Sequence, residues 1–258
     1  MSTTLNIALI QSNLYWEDPV KNRKMFEDKI DTIPDYVDLI VLPEMFTTGF
    51  TMKPKNIAQS EGDGTVEWMK RMAQQYNVAM VGSIIFLENG KFFNRLYFVP
   101  PVGTLEIYDK KHTFTLAGED EVYEAGKEKL IFEYKGFSIC PMICYDLRFP
   151  VWSRNTEDYD VLIYVANWPK KRINAWDTLL KARAVENMAY CIGVNRIGTD
   201  GADFEYPGHS AVYDVLGEPM VYSEAEEILY ATLDKAHIEN TRKKLRFLED
   251  RDSFNLIG

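Results

Sequence analysis

The stretch FSICPMICYDLRFP, residues 137 to 150, carries Cys140 and Cys144, two of the chain's three cysteines, four positions apart. A strand through 137–143 would separate them by about 13 Å at roughly 3.3 Å per residue, out of reach of a disulfide. Pro141 between them disfavours the helix that would bring them together. A zinc site needs short ligand pairings, which Cys191, His112, His209 and His237 do not supply, so no metal is expected. Cys140 lies inside an apolar run and Cys191 in YCIGV, settings in which a free cysteine is a small core hydrophobe. At Cys144 the apolar run ends and the polar YDLRFP begins. Packing stays open for this residue too, but a thiol at a strand's end can project into a cleft, with the following backbone N–H groups aimed at a developing oxyanion.

An ordinary thiol is only a few per cent thiolate at neutral pH and needs a base. None of the three histidines lies in a Cys/His signature; a carboxylate can serve instead when burial raises its pKa. VDLIVLPEM delivers Glu44 from an apolar strand to the same kind of strand end, and EIYDKKHTF does the same for Lys110. Taken singly, a strand-end acid reads as a loop cap and a lysine pair as a solvated face. Together the three make one chemistry. Glu44 takes the thiol proton, Cys144 attacks an amide-like carbon, the Lys110 ammonium stabilises the oxyanion, and Glu44 returns its proton to the departing ammonia.

The elements that must position these groups alternate along the chain. Strand-like runs at 5–14, 37–44 and 137–144 are interleaved with helical patterns at 19–33 and 64–77, and hairpin-like material fills 78–110 around the turn signals Asn89-Gly90 and Pro100-Pro101. A helix through RINAWDTLLKARAVENMAY is marked by Ile173, Trp176, Leu180, Ala184 and Met188 at steps of three or four. DLIVLPEM and DVLIYVANW echo one another as continuous apolar runs ending in polar residues, which is how strands covered on both faces read. Two such halves predict an α/β fold of sheet packed on sheet with helices outside, four layers in all. No linker composition interrupts residues 1–258, so a single domain is expected.

Composition narrows the partners. The net charge of −10 argues against nucleic acid. No run of 18 uncharged apolar residues occurs and the N-terminus lacks a basic leader, so no membrane association is expected. Three cysteines suit a reducing, cytoplasmic setting.

In that order, LPEMFTTGF, YDKKHTF and CYDLRFP resemble the Glu-Lys-Cys triad motifs of the nitrilase superfamily of carbon-nitrogen hydrolases, and the resemblance runs from NIALIQ to the strands near residue 230. It implies Glu44 as general base, Lys110 rather than Lys111 as oxyanion stabiliser, and Cys144 as nucleophile. It also implies that the Tyr145 N–H completes the oxyanion hole and that Glu119 is a second glutamate, with Glu121 and Glu124 as neighbouring competitors. The implied fold is an α-β-β-α sandwich assembled as a homodimer, working without a cofactor through a covalent thioester; His112 is read as structural.

LPEMFTTGF, CYDLRFP, YVANWP and LLKARAVENMAYCIGVNRIGTDG are most similar to the ω-amidase branch, which hydrolyses the terminal amide of small 2-oxo dicarboxylic acid monoamides such as 2-oxoglutaramate and 2-oxosuccinamate. A substrate with a carboxylate at its far end implies a cation in the pocket, with Arg148 first and Arg172 and Arg183 after it. Phe46, Trp168 and Trp176 are expected as apolar walls. Many relatives of this branch carry a histidine before that last tryptophan; this chain has Ala175. The alternatives are an N-carbamoyl amine hydrolase, nitrilase or acyl transferase on the same fold, and, from a different class, a non-catalytic binding module. Activity is expected to fall in acid as Glu44 is protonated before substrate arrives, and in alkali if Lys110 loses its charge.

Overall fold

The computed structural model describes residues 3–256. In chain order the elements are β1 (Thr4–Gln11), α1 (Pro19–Ile30), β2 (Leu39–Val41), α2 (Glu61–Tyr76), β3 (Ala79–Glu88), β4 (Lys91–Val99), β5 (Glu106–Asp109), β6 (Phe132–Tyr134), β7 (Phe137–Ile143), α3 (Pro150–Ser153), β8 (Val161–Ala166), α4 (Ile173–Asn187), β9 (Tyr190–Asn195), β10 (Ile197–Thr199), β11 (Glu205–Pro207), β12 (Ser210–Tyr213), β13 (Pro219–Ser223), β14 (Glu227–Asp234) and α5 (Lys235–Leu245).

Two six-stranded sheets share one plan. The first runs β14-β1-β2-β3-β4-β5 and the second β13-β12-β9-β8-β7-β6. In each, three central strands are parallel and the flanking strands antiparallel: β1-β2-β3 in one, β7-β8-β9 in the other. β5 is antiparallel to β4, which is antiparallel to β3, so β5 ends at the same edge as the parallel strands. β10 and β11 form a separate hairpin.

Side-chain alternation builds the layers. Along β1, Leu5, Ile7 and Leu9 point into the space between the sheets, where they join the inner faces of β7, β8 and β9. Ala8 and Ile10 point the other way, onto Phe26 and Ile30 of α1 and Met69 and Met72 of α2. On the far side, Trp176, Leu180 and Ala184 of α4 cover the second sheet. Gly193 on β9 lets them come close, since a Cβ there would lie 2.4 Å from Leu180 Cδ1 and 2.7 Å from Trp176 Cζ2.

Helix ends follow local rules. Asp18 caps α1 by accepting from the Lys21 N–H, with Pro19 next to it, and α2 stops at Asn77 in the left-handed conformation. The four-layer arrangement is as expected. Helix α5 and the β10–β11 hairpin were not foreseen: α5 buries Ile238 alone, too little for an apolar stripe to appear in the sequence. No helix among the described residues is long and apolar enough to cross a membrane.

Candidate active site

Strand ends on both sheets deliver the reactive groups to one place, the usual location for a site in a fold with parallel strands. Glu44 follows β2, Lys110 follows β5, Cys144 follows β7 and Asn167 follows β8. The two echoing apolar runs therefore end face to face: the Asn167 N–H donates to Glu44 Oε2 at 2.8 Å, and Asn167 Nδ2 to the Glu44 carbonyl at 2.6 Å.

Lys110 is buried among carboxylates. Its Nζ donates to Glu44 Oε1 at 2.9 Å and to Glu119 Oε1 and Oε2 at 3.0 and 2.8 Å. Asn94 Nδ2 bridges the same two acids, at 2.8 Å from Glu44 and 3.2 Å from Glu119. All four side chains are almost completely excluded from solvent. Burial by itself lowers the Lys110 pKa, but the charges of Glu119 and Glu44 more than offset it and the net direction is up. Burial raises that of Glu119 against the opposing pull of Lys110. The net direction favours the ammonium form of Lys110 and so runs against an alkaline loss of its charge. Of the three candidate second glutamates, Glu119 is the one beside Lys110; Glu121 and Glu124 are exposed.

Cys144 opens a five-residue 3-10 turn, Cys144–Arg148, with a backbone φ of +43°. A non-glycine residue held in this left-handed region costs about 1–3 kcal/mol and marks a functional site when the surroundings enforce it. Asp146 does the enforcing. Fully buried, it accepts from the Ile143 N–H at 3.0 Å, Tyr108 Oη at 2.7 Å, the His112 N–H at 3.0 Å and His112 Nδ1 at 2.8 Å. His112, stacked on Phe149 with ring centroids 3.7 Å apart, occupies the structural place expected of it. Burial first, then the charge of Glu44, pushes the Cys144 thiol well above its ordinary pKa, with Lys110 opposing; a hydrogen bond to Glu44 adds to the rise. The surroundings of the resting sulfur thus favour the thiol over the thiolate, with a carboxylate at hand. All three cysteines are free, and Cys140 and Cys191 are fully buried in the core as expected.

Glu44, Lys110 and Cys144 line a cavity of about 650 Å³, together with Tyr145, Arg148 and Trp168 among others, a usual size for a small-molecule site. Phe46 and Trp176 do not reach it. Phe46 is fully buried between Phe26 and Trp68 beneath the first sheet, and Trp176 stands behind Trp168 with its indole N–H on the His209 carbonyl. Arg183 is also absent: it is buried in α4, bound to the Leu147 carbonyl and Glu186. Arg172 does line the cavity. The wall residues that sequence reasoning missed are Phe50, whose ring lies 5.0 Å from Lys110 Nζ, and Phe114 and Tyr206. Asn94 was missed as well, although one amide inside the apolar FFNRLYF was a visible signal of a buried polar role.

Among the described residues, no group of three or more His, Cys, Asp or Glu side chains could hold a metal ion.

Comparison with known proteins agrees with this geometry. Residues 6–243 match the family model described as carbon-nitrogen hydrolase. The chain is 42% identical to the omega-amidase YafV of Escherichia coli K12 over 98% of each protein. It is 32% identical to the 2-oxoglutaramate amidase of Bacillus subtilis 168 over 95% of this chain and 96% of that one. Among solved structures, it superposes with a TM-score of 0.95 on XC1258 from Xanthomonas campestris, a CN-hydrolase superfamily protein with an arsenic adduct in its active site, at 40% identity over 98% of this chain and 99% of that one.

Proposed function

The chain belongs to the carbon-nitrogen hydrolase family, and from that premise we propose that it is an ω-amidase, releasing ammonia from the terminal amide of small 2-oxo dicarboxylic acid monoamides such as 2-oxoglutaramate. The observation that carries the reading is the pairing, in one cavity, of the Glu44–Lys110–Cys144 group with Arg148 and Arg172, which have no acidic partner among the described residues.

In this reading Glu44 takes the thiol proton as Cys144 Sγ attacks the amide carbon. The oxyanion so formed is held by Lys110 Nζ and the Tyr145 N–H, while Glu119 holds Lys110 in place. The intermediate collapses to a thioester as the proton on Glu44 passes to the leaving ammonia. Water, deprotonated by Glu44, then attacks the thioester and the thiol is restored. Surroundings that disfavour the thiolate support proton transfer during attack over a preformed thiolate. The cationic side of the cavity, where Arg148 stands over the Trp168 ring at 5.0 Å, faces the acid end of the substrate.

No cofactor enters these steps. A single domain, a cytoplasmic location and a homodimer complete the proposal. Free cysteines support the second, and the family resemblance supports the third.

The test is ammonia release from 2-oxoglutaramate and 2-oxosuccinamate by the wild type and Cys144→Ala, with a simple nitrile and an N-carbamoyl amine alongside. Release from the oxo-amides that disappears in the variant is the expected result. Ammonia from another donor instead would move the chain to a different activity of its family, and turnover that survived the substitution would remove Cys144 from the chemistry.

A further inference from the structure

The turn that carries Asn167 has more to hold than strand β8 can hold for it. Its Asn167 N–H and Nδ2 bind Glu44, and the Asn167 carbonyl lies 4.0 Å from Cys144 Sγ, so the acid and the thiol are both set against this one peptide. The ladder between β8 and β9 ends at the pair Ala166–Asn195, one residue short of the turn. Backbone groups buried beyond a ladder's end must find other partners, and Trp168, next in the chain, is buried beside the cavity.

Asn195 supplies the missing rung with its side chain. Its Oδ1 accepts from the Trp168 N–H at 2.7 Å, and its Nδ2 donates to the Trp168 carbonyl at 2.9 Å. The other Nδ2 donor goes to the Gly208 carbonyl at 2.7 Å, just past β11, whose Tyr206 also lines the cavity. Asn195 is fully buried, and its own N–H donates to Ser210 Oγ at 3.0 Å. The amide oxygen faces a donor and the nitrogen faces two carbonyls, so a reversed amide would break all three bonds.

Asn155 makes the same pattern at the opposite end of β8. It too is fully buried, with Oδ1 accepting from the Tyr159 N–H at 3.0 Å and Nδ2 donating to the Tyr159 and Asn187 carbonyls at 2.9 and 3.0 Å. Asn155 precedes β8, whereas Asn167 and Trp168 follow it. The two asparagines therefore match in bonding and burial and differ in what they hold.

We infer that Asn195 is a positioning residue for the reaction: by fixing both polar groups of Trp168 it keeps the Asn167 N–H on Glu44 Oε2 and the Asn167 carbonyl beside Cys144 Sγ. The carboxylate then faces the thiol as it takes the proton. Without this hold the turn can shift toward the cavity, and a misplacement of about 1 Å at reacting groups costs on the order of 10²-fold in rate. The inference rests on the roles given to Glu44 and Cys144 in the ω-amidase reading and deepens it.

The experiment compares the wild type with Asn195→Ser and Asn155→Ser, after calorimetry and circular dichroism have established the melting and the fold of each. Two rates are measured well below the lowest melting temperature: turnover of 2-oxoglutaramate, as kcat and KM, and alkylation of Cys144 by iodoacetamide, located by peptide mass spectrometry. Both substitutions remove three buried bonds, so both are expected to lower Tm. Only Asn195→Ser is expected to lower kcat, by about 10- to 100-fold, with a smaller change in KM, and to slow alkylation with it. Should Asn195→Ser not fold, Asn195→Asp, which keeps the size and the bond from the Trp168 N–H, is compared with Asn155→Asp in the same way. Equal losses in the Asn195 and Asn155 variants, or rates within about threefold of wild type in Asn195→Ser, would make Asn195 a buried structural asparagine and overturn the inference. Failure of both Asn195 variants to fold would overturn it as well. If the wild type leaves 2-oxoglutaramate intact, the ω-amidase reading falls, while alkylation, which needs only Glu44 and Cys144, still decides the role of Asn195.

Discussion

Replacing Asp146 by asparagine tests whether the buried carboxylate behind Cys144 maintains the strained turn. The four donors reach it in two pairs, Ile143 N–H and Tyr108 Oη on Oδ2, and His112 N–H and Nδ1 on Oδ1. An asparagine keeps one acceptor oxygen and turns an amide nitrogen toward one pair. Turned toward the first, it strips the Ile143 N–H of its partner. The Tyr108 hydroxyl cannot readily compensate, because it already accepts from Trp152 Nε1 at 3.1 Å and the Lys111 N–H at 3.3 Å. Turned toward the second, it strips the His112 N–H. Either way one buried backbone donor is orphaned, at about 1–3 kcal/mol, and the surviving bonds lose their charge assistance, for a total of about 2–5 kcal/mol. For a chain of this size that lowers Tm by roughly 5–15 °C. With Ile143 loosened, Cys144 can relax from its φ of +43°, and kcat should fall with stability. Differential scanning calorimetry and ammonia release read the two effects. A Tm within 2 °C of wild type and a kcat within twofold would show that the turn holds itself.

Glu119→Gln places an amide nitrogen among donors only, since Lys110 Nζ, Asn94 Nδ2 and the Phe114 N–H all point at this side chain. We expect kcat to drop by about 10²–10³, measured by ammonia release at saturating substrate; a kcat within threefold would remove Glu119 from the positioning of Lys110. Stability should decline above about pH 9. Burial raises all three thiols above their ordinary 9.0, with Cys140 at about 12, so the unfolded chain releases protons that the folded one retains. Their stabilising contribution is full below pH 9 and is lost as pH rises toward the folded values, at up to about 1.4 kcal/mol per pH unit for each thiol. Tyr97 and Tyr134, both pushed up to about 12 by burial, add to the slope from near pH 10. Urea midpoints at pH 8, 9 and 10 measure it, and a flat series would contradict the burial.

What the sequence revealed follows from how each group is positioned. Glu44, Lys110 and Cys144 each close a strand whose apolar run is visible, so their placement at one edge could be read once the strands were. Arg148 and Trp168 lie within five residues of such ends and were also found. Phe46 was misplaced because an aromatic near a strand end can point to either side of the sheet, and packing turned it toward α1 and α2; Trp176 lies on the apolar face of α4 and packs onto β9 at Gly193 instead of reaching the cavity. Phe114 and Tyr206 sit in loop and hairpin segments with no periodicity to announce a direction. Arg172 was ranked as a helix arginine, whereas the chain places it just before α4.

The buried ionic group also explains why two acids accompany one ammonium. With both acids ionised, burying Glu44, Glu119 and Lys110 together leaves one excess negative charge, a costly arrangement that packing alone would not favour. In the proposed reaction, the proton moving from Cys144 to Glu44 neutralises that acid as the substrate oxygen becomes anionic. The cluster's total charge stays the same and the negative charge passes from one Lys110 partner to another, while Glu119 holds the ammonium still. A site already organised around an excess carboxylate therefore needs little rearrangement to accept an oxyanion, the condition under which electrostatic stabilisation is most effective. Removing Glu119 would leave Lys110 with the acid that must give up its charge and nothing to keep it in place when that happens.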